Sequence, residues 1–433
     1  MVEMTNRSDA VPGANGRIEQ LGRGCYAYCA DGCANTGIVV GERGVLVIDT
    51  PATPALAEHV LEKIRELTDK PVKSVVLTHF HADSSLGTPA FEPGEVIASD
   101  LTRRMIETRG IEDIRVSRQR NPDLFSGLPE GTGVTAPTMT IASSMTMDLG
   151  GLEVRLMHLG RGHTMGDLVV WVPETGVIYA GDLVQKSAVP YCGDAHLSDW
   201  PRALDRITAF RPAVLVPGRG RIATGAQAVA TAIETSRDYV TTLRDGAAAC
   251  VEQSFGLGDT FLAVSDTLSP RFASRDDFEF HLPINVARAY DEALGLDLPQ
   301  VWTRERLADL HDALEGIVPS AQPDGESGPA GEGETAEGAA AEAAPDVKDM
   351  IQTEEDTATT EEGATQGLVS DSAFAASLAQ EDGAQEDGAQ EDGDPEEEAS
   401  MDLSTEDIVE DGGNETPAPD DVADDGKVLE TAR

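Results

Sequence analysis

Ser74-Val75-Val76-Leu77-Thr78-His79-Phe80-His81-Ala82-Asp83-Ser84 is a short β-branched run that breaks into two histidines and an aspartate. Its apolar half reads as a buried strand ending in a loop. Two histidines one residue apart at a strand end can aim both imidazoles at one point, and Asp83 offers a hard oxygen ligand just beyond them. Imidazole together with carboxylate suits Zn²⁺ or a similar divalent ion. A lone His-x-His is weak evidence, because such pairs also occur on ordinary surfaces. His79-x-His81-x-Asp83 at the end of an apolar strand is much more specific.

Working outward, residues 1–20 read as a polar N-terminal arm and 21–50 as a β-meander. Its expected strands are Gly24–Ala30, Ala34–Val40 and Val45–Ile48, separated by turns at Asp31-Gly32 and Gly41-Glu42-Arg43-Gly44. Cys25, Cys29 and Cys33 lack the tight bite of a thiol metal site and read as small buried residues. Pro54–Lys70 is an amphipathic helix with Leu56, Val60, Ile64 and Leu67 on one stripe, and with His59 at its solvent side. After the histidine loop come a strand at Glu95–Ala98, a short helix at Leu101–Thr108 and a long loop over 115–137, a candidate lid.

A second β-rich block follows, with strand-like runs at Met139–Ile141, Met145–Met147, Leu152–His158, Leu168–Val172 and Val177–Ala180. Two polar clusters fall where its strands give way to loops, Gly160-Arg161-Gly162-His163-Thr164 and Gly181-Asp182. Pro201–Phe210 reads as a helix, and Ala213–Val216 as a strand running into Pro217-Gly218-Arg219-Gly220. Thr224 with Gln227 reads as a capping box that opens a long helix. Over 256–317 a helical extension is expected, with helices at Ile284–Leu294 and Arg304–Leu314. Strands and helices in this order make an α/β chain.

Charge is unevenly spread. Residues 321–433 hold 35 of the 78 acidic residues against three basic ones, a net of −32, with Phe374 as their one aromatic. Such a stretch cannot bury enough apolar surface to offset its chain entropy, so 318–433 is expected to be a disordered, low-complexity acidic tail. The tail could serve an unidentified protein partner. The body keeps a net of −14, which argues against nucleic acid as a partner. Five cysteines do not make a disulfide framework. With neither an apolar leader nor a membrane-length apolar run, a cytoplasmic protein with no membrane association is the expectation.

Taken together, His79-x-His81-x-Asp83, Gly162-His163-Thr164-x-Gly166-Asp167, Gly181-Asp182 and Pro217-Gly218-x-Gly220 resemble the successive motifs of metallo-β-lactamase-fold hydrolases. Asn35-Thr36-Gly37 through Val47-Ile48-Asp49-Thr50 is similar to that family's first strands, and the resemblance covers roughly 20–255. It implies an αββα sandwich over 21–255, with metals at one edge. It implies that His79, His81 and His163 hold one zinc, lowering the pKa of its water to about 7 to supply hydroxide. Asp83 would orient that hydroxide or join Asp182 around a second metal, while Asp49 and Asp167 would hold histidines or backbone in place.

Two departures matter. Ser84 stands where many members carry histidine, and Arg219 stands where the pattern reads Pro-Gly-His-Gly. A guanidinium cannot ligate a metal, but its fixed charge can pair with carboxylates and so replace a second ion. The expectation is therefore one zinc, with Arg219 paired to Asp83, Asp182 or both. Of the other histidines, His196 is a candidate at the substrate side, while His158, His281 and His311 read as structural or exposed. Leu159–Asp182 with Gly193-Asp194-Ala195 and Trp200-Pro201 resembles the SoxH-like, quinoprotein-relay branch. The implied activity is hydrolysis of a small thioester, ester or lactam. The rival reading is a catalytically reduced binding or scaffolding protein with an acidic interaction tail.

Overall fold

Two β-sheets lie face to face, and the alternation of apolar side chains along the central strands explains why. The structure, a computed structural model, describes residues 13–315; the start of the expected arm and the acidic stretch from 316 lie outside the described residues. The first sheet runs β1 (Arg17–Gly22), β2 (Cys25–Cys29), β3 (Thr36–Val40), β4 (Val45–Ile48), β5 (Val72–Val76), β6 (Glu95–Ser99), β7 (Met139–Ile141), in that order. It is antiparallel from β1 to β4 and parallel from β4 to β7. The second contains β8 (Ser144–Asp148), β9 (Glu153–His158), β10 (Leu168–Val172), β11 (Val177–Tyr179), β12 (Val214–Val216) and β13 (Ala223–Thr224). There the β11–β12 pair alone is parallel.

Successive side chains of a strand point to opposite faces. On β10, Leu168, Val170 and Val172 enter the core between the sheets, while Val169 and Trp171 face a second core under the helices. Val177 and Tyr179 of β11 and Val214 and Val216 of β12 follow the inner set, Ile178 and Leu215 the outer. Such strands need cover on both sides. On the first sheet, α1 (Pro54–Leu67) buries Leu56, Ala57, Val60 and Ile64, and α2 (Asp100–Arg120) packs near β6 and β7. Across the second lie α3 (Trp200–Ala209) and α4 (Ala226–Glu252). The architecture is that of an αββα sandwich.

Several expectations need correction. A strand, β1, begins at Arg17, inside the stretch read as an arm. The helix expected over 101–108 runs on to Arg120, taking the first part of the expected long loop. Its buried apolar residues, Met105, Ile106, Ile114 and Val116, are few and widely spaced among charged ones, with exposed pairs such as Arg103–Glu107 and Glu112–Arg115 supporting the helix, so its second half is weakly marked in the sequence. Thr224 pairs in β13 instead of capping, and α4 starts from Gly225 without a side-chain cap. His59 is half-buried, its ring edge-on to Tyr28. The extension holds three helices, α5 (Leu257–Phe272), α6 (Phe278–Ala293) and α7 (Arg304–Ala313). Pro270 and Pro283 sit inside α5 and α6, where proline reads as a helix breaker.

These three helices share one hydrophobic cluster with α4 and the second sheet, through Phe261, Leu268, Val286 and Leu307. Fully buried Asn285 of α6 accepts from Cys192 N–H at 2.7 Å and donates to Pro190 O and Tyr239 Oη, each at 2.8 Å. The loop it holds carries Tyr191. Replacing Asn285 by alanine strands a buried amide and two acceptors, and should lower unfolding free energy by about 3 kcal/mol. Chemical denaturation of the variant checks this; a loss below about 0.5 kcal/mol would show that the loop is held elsewhere.

Candidate metal centre

All the motif loops leave strands at one edge. β4 and β5 are parallel, as are β11 and β12, so their carboxyl ends lie together within each sheet. Asp49 follows β4, the histidine loop follows β5, Asp182 follows β11 and the 217–220 turn follows β12. Ligand sites of α/β sheets commonly form at such carboxyl ends.

Within this edge, His79, His81 and His163 bring one ring nitrogen each within 4.8 Å of the others, and all three are buried. The outer nitrogens determine which inner ones face the centre. Tyr191 O, which can only accept, takes the His163 Nδ1 proton at 2.9 Å, leaving Nε2 bare. Asp194 Oδ2 lies 3.2 Å from His81 Nε2 and Asp49 Oδ2 takes the Thr78 hydroxyl proton at 2.7 Å. Thr78 Oγ1 is thereby free to accept from His79 Nδ1 at 2.9 Å. The inward set is His79 Nε2, His81 Nδ1 and His163 Nε2. His79 Nε2 is buried without a partner among the described residues.

His81 Nδ1 and His163 Nε2 stand 2.9 Å apart, and two lone pairs at that distance require a cation between them. In the bare protein it is a proton. Burial pushes His79 down to about 3 and His163 well below its ordinary value. Burial opposes the charge on His81 too, but Asp194, hydrogen-bonded to it, with Asp113 and Asp83, drives it up to about 9. The residues fit a divalent ion with three nitrogen ligands, each held from behind.

The supports are themselves buried. Asp49 has φ 56° and uses both oxygens on Thr78, from N–H at 2.7 Å and from the hydroxyl. Its burial raises its pKa to about 8. A strained conformation at such a place points to function. Asp167 holds Thr164 in the same two-handed way, at 2.9 and 2.7 Å, with its pKa raised by burial to about 7. Ser84 is buried, and its carbonyl accepts from Thr50 N–H at 2.9 Å. His158 turns its Nδ1 to Asp167 O at 2.9 Å, away from the set of three.

Arg219 pairs with Asp83 through Nη2 and Oδ2, both side chains about 15% exposed. Asp182 instead sits 3.6 Å from His163 Nε2. Burial by itself would raise Asp83, but Arg219, together with the nearby His81 and His79, outweighs it and holds the carboxyl at about 2. Burial carries Asp182 up to about 6 against the pull of Arg219. The turn bearing Arg219 is fixed by Asn35, which donates Nδ2 to Pro217 O and Gly220 O and its backbone N–H to Gly218 O, all within 2.9 Å. Gly218 permits the approach: a Cβ there would lie 1.8 Å from Asp182 Oδ1.

A cavity of about 50 Å³ opens beside the three histidines, with His81, Asp83, Asp113, Asp182 and Arg219 on its inner wall. Of the eleven buried side-chain polar atoms without a partner among the described residues, six belong to this cavity or to His79. That concentration marks a place built for something besides protein. His196 is not among its lining residues; it lies buried with Nδ1 3.8 Å from Asp297. His281, read as structural or exposed, is buried in the cavity wall. Sequence reasoning also missed Asp113, whose Oδ2 accepts from Ala82 N–H at 2.7 Å, and the Asp194–Arg109 pair at 3.4 Å. The cysteines are all free, and no thiol cluster forms among the described residues.

The family model described as metallo-beta-lactamase superfamily matches residues 31–94. A linear primary-alkylsulfatase from a Pseudomonas species is 23% identical over 48% of this chain and 45% of its own length, so the chain spans under half of that relative. A type 2 metallo-beta-lactamase from Bacteroides fragilis is 23% identical over 43% of this chain and 69% of its own. A solved metallo-beta-lactamase from Pontibacter korlensis, 22% identical, covers 52% of this chain and 99% of its own with a TM-score of 0.42. No described helix is long and apolar enough to cross a membrane.

The Arg219–Asp83 pair sets a stability prediction for metal-stripped protein. The native Asp83 pKa lies below the unfolded value of 3.8, so its contribution is complete above pH 3.8 and fades as pH falls through about 2. Without Arg219 the buried carboxylates lose their counter-charge. Arg219→Ala should cost about 3–5 kcal/mol at pH 7, the typical result of breaking one partner of a buried pair. In the variant both carboxyls, raised by burial with no counter-charge, take up protons as pH falls below about 6, so the loss should shrink towards pH 4, where the wild-type pair is still intact. Denaturant titrations at the two pH values check this; an equal loss at both would contradict it.

Proposed function

We propose, on the premise that the chain belongs to the metallo-β-lactamase superfamily, as the family-model match and the curated relatives support, that it is a metal-dependent hydrolase of a small carbonyl substrate, a thioester, ester or lactam. The observation that carries this reading is the convergence of His79 Nε2, His81 Nδ1 and His163 Nε2, with their outer nitrogens committed elsewhere. A divalent ion held by them, zinc for this donor set, supplies Lewis acidity and an acidified water.

The chain's own residues do the remainder. Asp194, Thr78 and the Tyr191 carbonyl keep the rings in their tautomers. Asp182, with its raised pKa and its place beside His163, can take and return a proton near neutrality. Asp83 has Oδ1 uncommitted and can orient a water, while its Oδ2 anchors Arg219. Arg219 Nη1 is buried and has no partner among the described residues, a donor for an oxyanion developing on a substrate carbonyl. In this proposal Arg219 stands in place of a second ion and the site is mononuclear.

The SoxH-like affiliation belongs to the same reading. Two of the residues behind it have physical roles: Asp194 orients His81, and Trp200 packs edge-on at 5.7 Å from His163 while donating Nε1–H to Leu183 O. A cytoplasmic location and a protein partner for the acidic stretch rest on composition. The Arg219 substitution favours the second reading, a catalytically reduced binding protein.

Elemental analysis joined to a substrate panel separates these readings. The full chain should hold about one zinc, and Arg219→His should move that value towards two by restoring an imidazole. Thioesters, lactones and β-lactams, with an alkyl sulfate added because of the alkylsulfatase relative, should include at least one substrate turned over with zinc and not after chelation. Zinc bound firmly with no turnover on any of them would favour the binding protein. A chain that takes up no zinc would sink the hydrolase reading.

A further inference from the structure

We infer that Arg120 forms an anion-binding subsite beside the metal centre, so that the substrate carries a carboxylate a few carbons from its reacting carbonyl. This rests on the hydrolase reading above and narrows its substrate class.

Arg120 is the last residue of α2, and its guanidinium lies 4.3 Å from the Tyr191 ring centroid and 5.1 Å from that of Phe280. Stacking of this kind occupies the face of a guanidinium and leaves its in-plane N–H donors free. Nε is buried and has no acceptor among the described residues, although the group borders a cavity with three carboxylates, Asp83, Asp113 and Asp182. Each of these has another partner: Arg219 for Asp83, Ala82 N–H for Asp113, and His163 near Asp182. An edge-on pair of donors on a rigidly stacked guanidinium matches a carboxylate bidentately.

The rest of the wall agrees. Tyr191 packs against Arg120 and also lies 5.4 Å from the His81 ring, edge to face. Arg120 is therefore within about 10 Å of His81, a separation that a short acyl chain can span. Leu124, Phe125 and Val189 offer apolar surface for such a spacer, and Ser117 and Asn121 flank Arg120 on the rim. His281, itself 92% buried, sits in the same wall with Nδ1 unpartnered among the described residues. The cavity, about 50 Å³ and partly open, has room for an acyl fragment, and Phe280 in its wall is 42% exposed.

The test compares monoethyl glutarate, which bears a free carboxylate, with diethyl glutarate, which has none, on the zinc-loaded full chain. A charge-assisted bidentate pair should favour the monoester in kcat/KM by about tenfold or more. Arg120→Gln should collapse that ratio, and Arg120→Lys should recover part of it. Calorimetry with glutarate against glutaramide supplies a readout independent of turnover: wild type should bind the dicarboxylate more tightly, and Arg120→Gln should lose the difference. If neither ester is hydrolysed yet this binding difference behaves as stated, the subsite stands and the ester arm of the hydrolase reading fails. If esters are hydrolysed with no preference for the free carboxylate, or the preference survives in Arg120→Gln, the subsite is overturned. A thermal melt of each variant shows whether it folds, and Arg120→Lys serves should the glutamine variant unfold.

Discussion

His81 Nδ1 and His163 Nε2 face each other at 2.9 Å on two buried side chains, and each ring has already given its outer nitrogen to another group. Two lone pairs so placed need a positive charge between them. This constraint accounts for much of the surrounding structure. Asp194, Asp49 through Thr78, and the Tyr191 carbonyl each fix one tautomer, so none of the rings can turn away. A proton can serve only the pair of nitrogens it lies between, whereas a divalent ion can use all three, with the carboxylates around His81 offsetting the cost of burying its charge.

Charge balance explains the second layer. Asp83 and Asp182 are carboxylates of one small cavity, and burial raises the pKa of an uncompensated carboxylate. Arg219 answers this by pairing with Asp83. Its position follows from Asn35, whose side chain bridges the carbonyls of Pro217 and Gly220 and so joins the first sheet to the turn after β12. A guanidinium held in this way is a permanent charge, unlike a second metal ion, which depends on supply.

Much of this is legible in the sequence, and the reason is local. The strand-to-histidine loop, Gly162 to Asp167 and Gly181-Asp182 each declare themselves within a few residues by strand ends and glycines. What escapes is held by contacts far apart in the chain. Asp194 meets His81 across 113 residues and Arg109 across 85, while Asp113 lies in the half of α2 beyond the short helix expected from the sequence. Pro270 hides α5, and Pro283 hides the first turns of α6, whose later part is expected from the sequence; those hidden turns supply Phe280 and His281 to the cavity wall. His281 reads as an isolated histidine until the fold sets its ring 5.5 Å from Tyr191. Conversely His196, attractive because it follows Asp194, has its Nδ1 turned to Asp297.

The helices after α4 belong to the same hydrophobic cluster as the second sheet, so the wall around the metal centre depends on both parts of the chain. Anomalous diffraction at the zinc edge from crystals of zinc-loaded protein tests the central claim most directly. The account predicts one peak, within bonding distance of His79 Nε2, His81 Nδ1 and His163 Nε2, with Arg219 still on Asp83. A second peak between Asp83 and Asp182 with Arg219 displaced, or no peak among the three histidines, would contradict it.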